Sequence, residues 1–171
     1  MNANTQEESR AVAARATSTP NEVLTLRLGT EEYGIDILRV QEIRSFEQPT
    51  RIAGAPLHVL GVTNLRGVIV PIIDLRSRLA LDASFDIGTV TVVLNVGGRT
   101  VGAVVDAVSD VVQLGAGDVA AAPEFNTTVA AHHILGIATL EQAGRQRMLI
   151  LVDIEQLMTS HEMGLVDAVL H

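Results

Sequence analysis

The sequence predicts an all-β fold: two five-stranded β-barrels packed side by side, with a few short helices, one of them C-terminal. Three observations carry that expectation. The apolar runs are short and bounded by turn residues, as in Val68-Ile69-Val70-Pro71-Ile72-Ile73 and Met148-Leu149-Ile150-Leu151-Val152, a pattern of strands buried on both faces. Glycine-bearing turns separate such runs in pairs. An internal repeat then returns the whole pattern a second time.

Taken in order, residues 1–21 carry Ala, Thr, Ser, Asn and Glu without a sustained apolar period and end just past Pro20, which predicts a disordered tail. Val23 to Leu28 alternates apolar and polar residues, turns through Gly29-Thr30-Glu31 and continues from Tyr33 to Ile37. Leu60 to Leu65 turns at Arg66-Gly67 and returns as Val68 to Ile73. Thr89 to Val96 meets Gly97-Gly98, a strong hairpin signal, and returns as Thr100 to Val105. Ile134 to Leu140 turns through Gln142-Ala143-Gly144 and returns as Met148 to Val152. Helical character is confined to Leu75 to about Leu81, Ile154 to Met158, and about His161 to Val169, where Thr159 and Glu162 have the spacing of a capping box.

The repeat gives these elements their organisation. One fixed shift lays Leu26 on Leu94, Gly29 on Gly97, Gly34 on Gly102, Val40 on Val108, Glu42 on Asp110 and Ile43 on Val111. Further on, Leu60-Gly61-Val62 matches Leu135-Gly136-Ile137, and Ile72-Ile73-Asp74-Leu75 matches Leu151-Val152-Asp153-Ile154, after a loop has lengthened. The expected organisation is a domain over about 22–168 made of two interleaved barrel subdomains, with repeat 1 over about 22–80 and repeat 2 over about 89–158. An isolated unit of that size buries a marginal core, so the two are expected to pack together, each closing its sheet to remove free edges.

Composition excludes several functions. Of 171 residues, 20 are acidic and 12 basic, a formal net charge of −8; aromatics are 2% and cysteine is absent. No disulfide framework or thiolate metal site can be built. The acid excess opposes binding to nucleic acid or anionic lipid, and single-stranded nucleic acid lacks stacking platforms here. No apolar run approaches the roughly 20 residues of a spanning helix. Glu7, Glu8, Arg10 and Arg15 do not fit a secretory signal, so cytoplasmic residence is expected.

Catalytic constellations are equally scarce. The 5 histidines (His58, His132, His133, His161 and His171) form neither HxxxH nor HExxH, and no metal or cofactor is expected. Asp74 and Asp153 look like paired carboxylates, but each precedes a short helix in its own repeat, where an Asp caps orphan N–H groups. No glycine cluster has the strand–GxGxxG–helix context of a nucleotide site, and neither Ser45 nor Ser109 sits in a GxSxG elbow. An enzyme is not expected. There remain charges set in apolar strands: Val40, Glu42 and Arg44 alternate, which predicts one shared face, and Arg66 tips an apolar hairpin. Periodicity does not separate a solubilising turn charge from a specific contact rimming an apolar patch.

Two stretches are recognisable. Glu32-Tyr33-Gly34-Ile35-Asp36-Ile37-Leu38-Arg39-Val40-Gln41-Glu42-Ile43 and Gly61-Val62-Thr63-Asn64-Leu65-Arg66-Gly67-Val68-Ile69-Val70-Pro71-Ile72-Ile73-Asp74-Leu75-Arg76 closely resemble the CheW family of bacterial chemotaxis coupling proteins. Val104 to Val111 and Ala122-Pro123-Glu124-Phe125 are similar to the family's second half, so the resemblance covers about residues 22–168. It implies two SH3-like barrels and a non-catalytic adaptor that couples chemoreceptors to the histidine kinase CheA. Implied partners are the cytoplasmic tips of chemoreceptors, the SH3-like regulatory domain of CheA, and further CheW copies, in rings beneath membrane receptor arrays. Carried over residue by residue, the receptor-binding groove would comprise Ile37, Val40, Glu42, Gly61, Arg66, Val90 and Val111, and Phe125 would contact the kinase. Some relatives carry Arg just before the Pro123 turn, where this chain has Ala120-Ala121-Ala122, which leaves the kinase contact at that end open. Rival readings are a CheV-type adaptor half, a regulatory barrel cut from CheA, or a small-ligand carrier using the inter-barrel seam; the last would need convergent buried polar groups, of which the strands offer almost none.

Overall fold

The computed structural model describes residues 19–122 and 133–159. The expected tail up to residue 18, the helix expected over 161–169, Glu162 of the capping box, and Phe125 lie outside the described residues. In order the elements are β1 (Glu22–Leu28), β2 (Glu31–Asp36), a 3-10 turn (Ile37–Arg39), β3 (Val40–Ser45), β4 (Val59–Leu65), β5 (Val68–Asp74), helix α1 (Leu75–Arg78), β6 (Val90–Val96), β7 (Arg99–Val105), β8 (Ala107–Gln113), β9 (Val119–Ala120), β10 (Ile134–Gln142), β11 (Arg145–Val152) and helix α2 (Ile154–Thr159). They form a five-stranded sheet in the order β3-β6-β7-β5-β4 and a six-stranded sheet in the order β8-β1-β2-β11-β10-β9. The mostly-β, two-unit expectation therefore holds; the sixth strand is the two-residue β9.

The two sheets exchange hairpins. β1–β2 leaves the strands that follow it and pairs with β8 and β11, while β6–β7 pairs with β3 and β5. Under the sequence repeat the two strand orders coincide, except that β9 has no counterpart strand. Each sheet has one parallel junction, Ile72 beside Gly102 in one and Leu151 beside Gly34 in the other. These two glycines, superimposed by the repeat, let the parallel strands pack closely. A Cβ at Gly102 would lie 2.5 Å from the Ile72 side chain, and one at Gly34 would lie 2.9 Å from that of Leu151. The five-stranded sheet closes where Thr50, beyond β3, exchanges two backbone hydrogen bonds of 2.9 Å with Val62 of β4. The six-stranded sheet closes where β9 pairs with β10.

Hairpin exchange decides where the core lies. Leu24, Leu26 and Leu28 of β1, Ile35 of β2, Val92, Leu94 and Val96 of β6, and Val101, Ala103 and Val105 of β7 form one buried cluster with Leu157 and Met158 of α2. This cluster is the seam between the sheets. Alternate residues turn the other way, into the two barrels: Val23 with Leu149 and Leu151 in one, Val104 with Val70 and Ile72 in the other. The seam is thus filled through its depth by the chain's own side chains, and only its rim is available to a partner.

Helix α1 starts with Asp74, whose Oδ1 accepts from the Arg76 N–H at 2.9 Å, and α2 is preceded by Asp153, whose Oδ1 accepts from the Gln156 N–H at 3.2 Å. Both aspartates cap, as expected. Helix α1 stops at Arg78 rather than near Leu81. Ala80 turns left-handed (φ 58), and the Leu81 N–H donates to the Arg76 carbonyl at 2.7 Å, closing a Schellman turn.

Sequence reasoning missed the second role of Asp74. The Arg76 side chain is fully buried; its Nε and Nη2 donate to Asp74 at 3.0 and 3.1 Å, and its Nη1 donates to Asp106 at 2.9 Å and to the Ser84 carbonyl. Asp106 also accepts from the Gly29 N–H at 2.7 Å, so the network ties the β1–β2 turn to α1 across the seam. Burial alone would lower the guanidinium pKa, but the two carboxylates outweigh it and the pKa is raised. The face of the guanidinium lies 4.8 Å from the Phe85 ring, which stacks on Phe46 at 4.6 Å.

Removing one partner of such a buried pair strands the other charge. Arg76→Ala should cost about 3–5 kcal/mol in urea denaturation. Gly102→Ala should cost about 1–3 kcal/mol, because the Ile72 side chain can rotate away only at the expense of its packing; a Gly102→Ala midpoint equal to wild type would contradict the close approach.

Candidate functional site

Of the residues named from sequence, Ile37, Val40 and Val90 share one setting. All three are half-buried and pack against the seam cluster. Ile37 begins the 3-10 turn, which is capped by Asp36 accepting from the Leu38 N–H at 3.0 Å. Val40 pairs with Leu94, and Val90 pairs with Ser45 at the far end of the same two strands.

Glu42 does not share the Val40 face, contrary to the simple alternation. The β3–β6 register shifts between Val40 and Glu42, so Val40 lies opposite Leu94 but Glu42 lies opposite Val93, and Arg44 opposite Thr91. The bulge rotates the strand. Val40 and, three residues on, Ile43 take the seam side; Glu42 and Arg44 take the barrel side. Ile43 pairs with Val92 and remains 46% exposed.

Glu42 accepts two arginines, Arg66 Nη2 at 2.6 Å and Arg44 Nη1 at 3.1 Å. Hydrogen bonds from Arg66 and then Arg44 hold its carboxyl below the usual carboxylate range. Arg66 is nevertheless 78% exposed, against 23% for Glu42, so most of the guanidinium faces outward. Its backbone explains its position. Arg66 (φ 54) and Gly67 (φ 89) are the central residues of a two-residue turn between Leu65 and Val68, both in the left-handed region that such a turn demands. Glycine adopts that conformation freely; an arginine does so at a cost of about 1 kcal/mol. Asn64 Oδ1 accepts from the Gly67 N–H at 2.8 Å and fixes the turn. The flanking Val68 and Ile69 are 54% and 61% exposed, so the tip offers an arginine beside bare aliphatic surface.

Gly61 stands apart from these contacts. Its φ is 152, and a Cβ there would lie 2.2 Å from the Thr50 carbonyl oxygen, at the bond that closes the five-stranded barrel. Its place is structural. Gly136, its repeat partner, is pressed in the same way against the Ala120 carbonyl of β9 at 2.7 Å.

Val111 belongs to the other sheet. It pairs with Leu24, lies on the seam side of β8 and is 50% exposed. The repeat lays Ile43 on Val111, so the two occupy equivalent registers on the strands flanking β6 and β1. Ile43 was therefore visible in the repeat as a candidate, although no motif singled it out. Asp110, beside Val111, is held below the usual carboxylate range by hydrogen bonds from Arg147 and Thr25.

Among the described residues no group of three His, Asp or Glu side chains is placed to hold a metal ion, and no helix is long and apolar enough to cross a membrane. His58 Nδ1 lies 2.9 Å from Ser77 Oγ, in a local contact at α1.

The model of the CheW-like domain matches residues 22–162. The chain is 57% identical over 149 residues to the chemotaxis protein CheW of Klebsiella aerogenes, covering 86% of this chain and 87% of that protein. It is 33% identical over 151 residues to CheW of Rhizobium meliloti, covering 88% and 95%. Among solved structures it is similar to the scaffolding protein TtCheW from Thermoanaerobacter tengcongensis, with a TM-score of 0.72 and 27% identity over 84% of this chain and 96% of that one.

Two outcomes follow from the site geometry. Gly61→Ala should destabilise by about 3 kcal/mol or more, since both its φ and its clash with backbone oppose a side chain; its melting temperature should fall well below wild type. The lowered pKa values of Glu42 and Asp110 mean that their ion pairs stabilise fully above the unfolded carboxylate range of about 4 and are lost as pH falls through the lower folded values. Urea midpoints should therefore hold steady down to about pH 5 and fall in stronger acid, less steeply for Asp110→Asn; equal slopes would deny Asp110 its share.

Proposed function

The chain belongs to the CheW family of non-catalytic chemotaxis scaffolds, and we propose that it couples chemoreceptors to the kinase CheA through the rim of the inter-barrel seam. The cytoplasmic tip of a receptor is the proposed occupant, taken helix-in-groove. Ile37, Val40, Ile43 and Val90 supply an apolar strip on one side and Val111 on the other. Glu42 and Arg66 then set the register. Gly61 serves by holding the barrel that carries them.

The observation that carries this reading is the hairpin tip. The turn demands a left-handed residue but not an arginine; the one present is anchored at one nitrogen by Glu42, and most of its guanidinium faces outward. The repeat-equivalent hairpin manages the same turn with Ala143 (φ 52) and Gly144 (φ 75). Arginine is favoured at recognition sites because its planar fork binds acceptors directionally.

The kinase side is proposed to be the regulatory SH3-like domain of CheA, met near Phe125, with further CheW copies as alternative neighbours in the ring. The protein then works on the cytoplasmic face of the membrane, held there by its receptors. Signal passes through the geometry of the assembly, and no bond is made or broken.

Arg66→Asp should leave the fold intact and lower stability only slightly, because the Glu42 pair it removes is exposed on the arginine side and Arg44 still holds Glu42. It should weaken capture of a chemoreceptor cytoplasmic fragment, measured with and without CheA. Full binding of both partners by this variant would return Arg66 to the role of a solvated turn charge.

A further inference from the structure

A second arginine clamp lies in the other barrel, at the bulge that aims Val111. Where β1 pairs with β8, the register shifts between Leu24 and Leu26, whose partners are Val111 and Val108. In a regular strand, residues three apart point to opposite faces. The bulge gives Val108 and Val111 the same face, the seam side, and leaves Thr25 opposite the extra residue. Thr25, fully buried on β1, fills the irregularity. Its hydroxyl accepts from the Asp110 N–H at 3.0 Å and donates to the Asp110 carboxylate.

Arg147 of β11 locks this arrangement from the barrel side. Its Nη2 and Nη1 donate to the two Asp110 carboxylate oxygens at 2.8 and 3.1 Å, and Nη2 also reaches the Thr25 hydroxyl at 3.1 Å. Its Nε and Nη2 grip Glu32 of β2 at 2.6 and 3.1 Å. One side chain, 17% exposed, thereby ties the edge strand β8 to β1, β2 and β11. Both carboxylates raise the guanidinium pKa further, so the clamp stays charged at any physiological pH.

We propose that Arg147 is a positioning residue for partner docking: by locking Asp110 it holds the β8 bulge that presents Val111 on the seam rim. This rests on the receptor reading above. Arg147 touches no partner and acts through Val111 alone. The equivalent bulge in β3 presents Ile43 and is held by Arg66 and Arg44 on Glu42. The two barrels therefore use the same device, with the arginine outside in one and inside in the other.

The test is a double-mutant cycle on the full chain, binding a chemoreceptor cytoplasmic fragment, with hydrogen exchange followed in the free protein. Arg147→Lys keeps the charge and stem but loses the fork. It should weaken binding roughly tenfold, a loss of about 1.4 kcal/mol, and speed exchange at the Asp110 amide, with melting little changed; Arg147→Ala should do more of each. Val111→Ala should weaken binding comparably, and the Arg147→Lys/Val111→Ala pair no further than Val111→Ala alone. Wild-type affinity in Arg147→Lys despite faster exchange at Asp110, or losses that multiply in the double variant, would overturn the positioning role while leaving the receptor reading intact. Failure of the wild-type chain to bind the fragment would instead remove the receptor reading, and the positioning role with it.

Discussion

Two hairpins, β1–β2 and β6–β7, must each satisfy two cores at once. One face of each completes a barrel whose other strands come from elsewhere in the chain; the opposite face meets its counterpart in the seam. Both faces of these hairpins are therefore removed from water along most of their length, and a fully buried leucine or valine contributes about 1.5–3 kcal/mol. Leu24, Leu26, Val92 and Leu94 face the seam, while Val23, Thr25, Thr91 and Val93 turn inward, all of them nearly inaccessible. Neither barrel can form without strands from both halves of the chain, so folding and seam formation are one event. The polar network of Arg76, Asp74 and Asp106 is tolerated at this depth because every charge meets an opposite one.

Filling the seam with the chain's own leucines leaves only its margins open. There the strands depart from ideal geometry, and the departures are paired. A bulge in β3 brings Val40 and Ile43 to one face, and a bulge in β8 does the same for Val108 and Val111. A bulge unpairs a residue and bends a strand, so it persists only where neighbouring groups hold it. Acidic residues at equivalent positions, Glu42 and Asp110, anchor both, each gripped by arginine. In the six-stranded barrel that arginine is enclosed and spends its donors on the fold. In the five-stranded barrel it sits on a left-handed hairpin tip, with most of its guanidinium facing outward.

A scaffold of this kind acts through rigidity and spacing. Its sites need no perturbed catalytic group, and the shifted carboxylates here are those fixed in ion pairs, with pKa values moved down toward permanent charge. In that direction both carboxylates keep their charge, and with it their ion pairs, near neutral pH.

Much of this was legible in the residue order. Short apolar runs and glycine turns define strands locally, because strand burial and positive φ are properties of a few adjacent residues. The repeat then exposed the twofold pairing of Gly34 with Gly102, Gly61 with Gly136 and Glu42 with Asp110, and both capping aspartates followed from their place before short helices. What the order of residues could not disclose was which hairpin joins which sheet, since exchange between two near-identical units preserves every local pattern. The bulges were equally hidden, and they reversed the face expected for Glu42. So was the clustering of Arg76 with Asp106 and of Arg147 with Thr25, Glu32 and Asp110, because charged side chains far apart in the chain meet only once the barrels close. Local chemistry determined the strands, turns and caps; long-range packing alone decided the seam, the faces and the clamps.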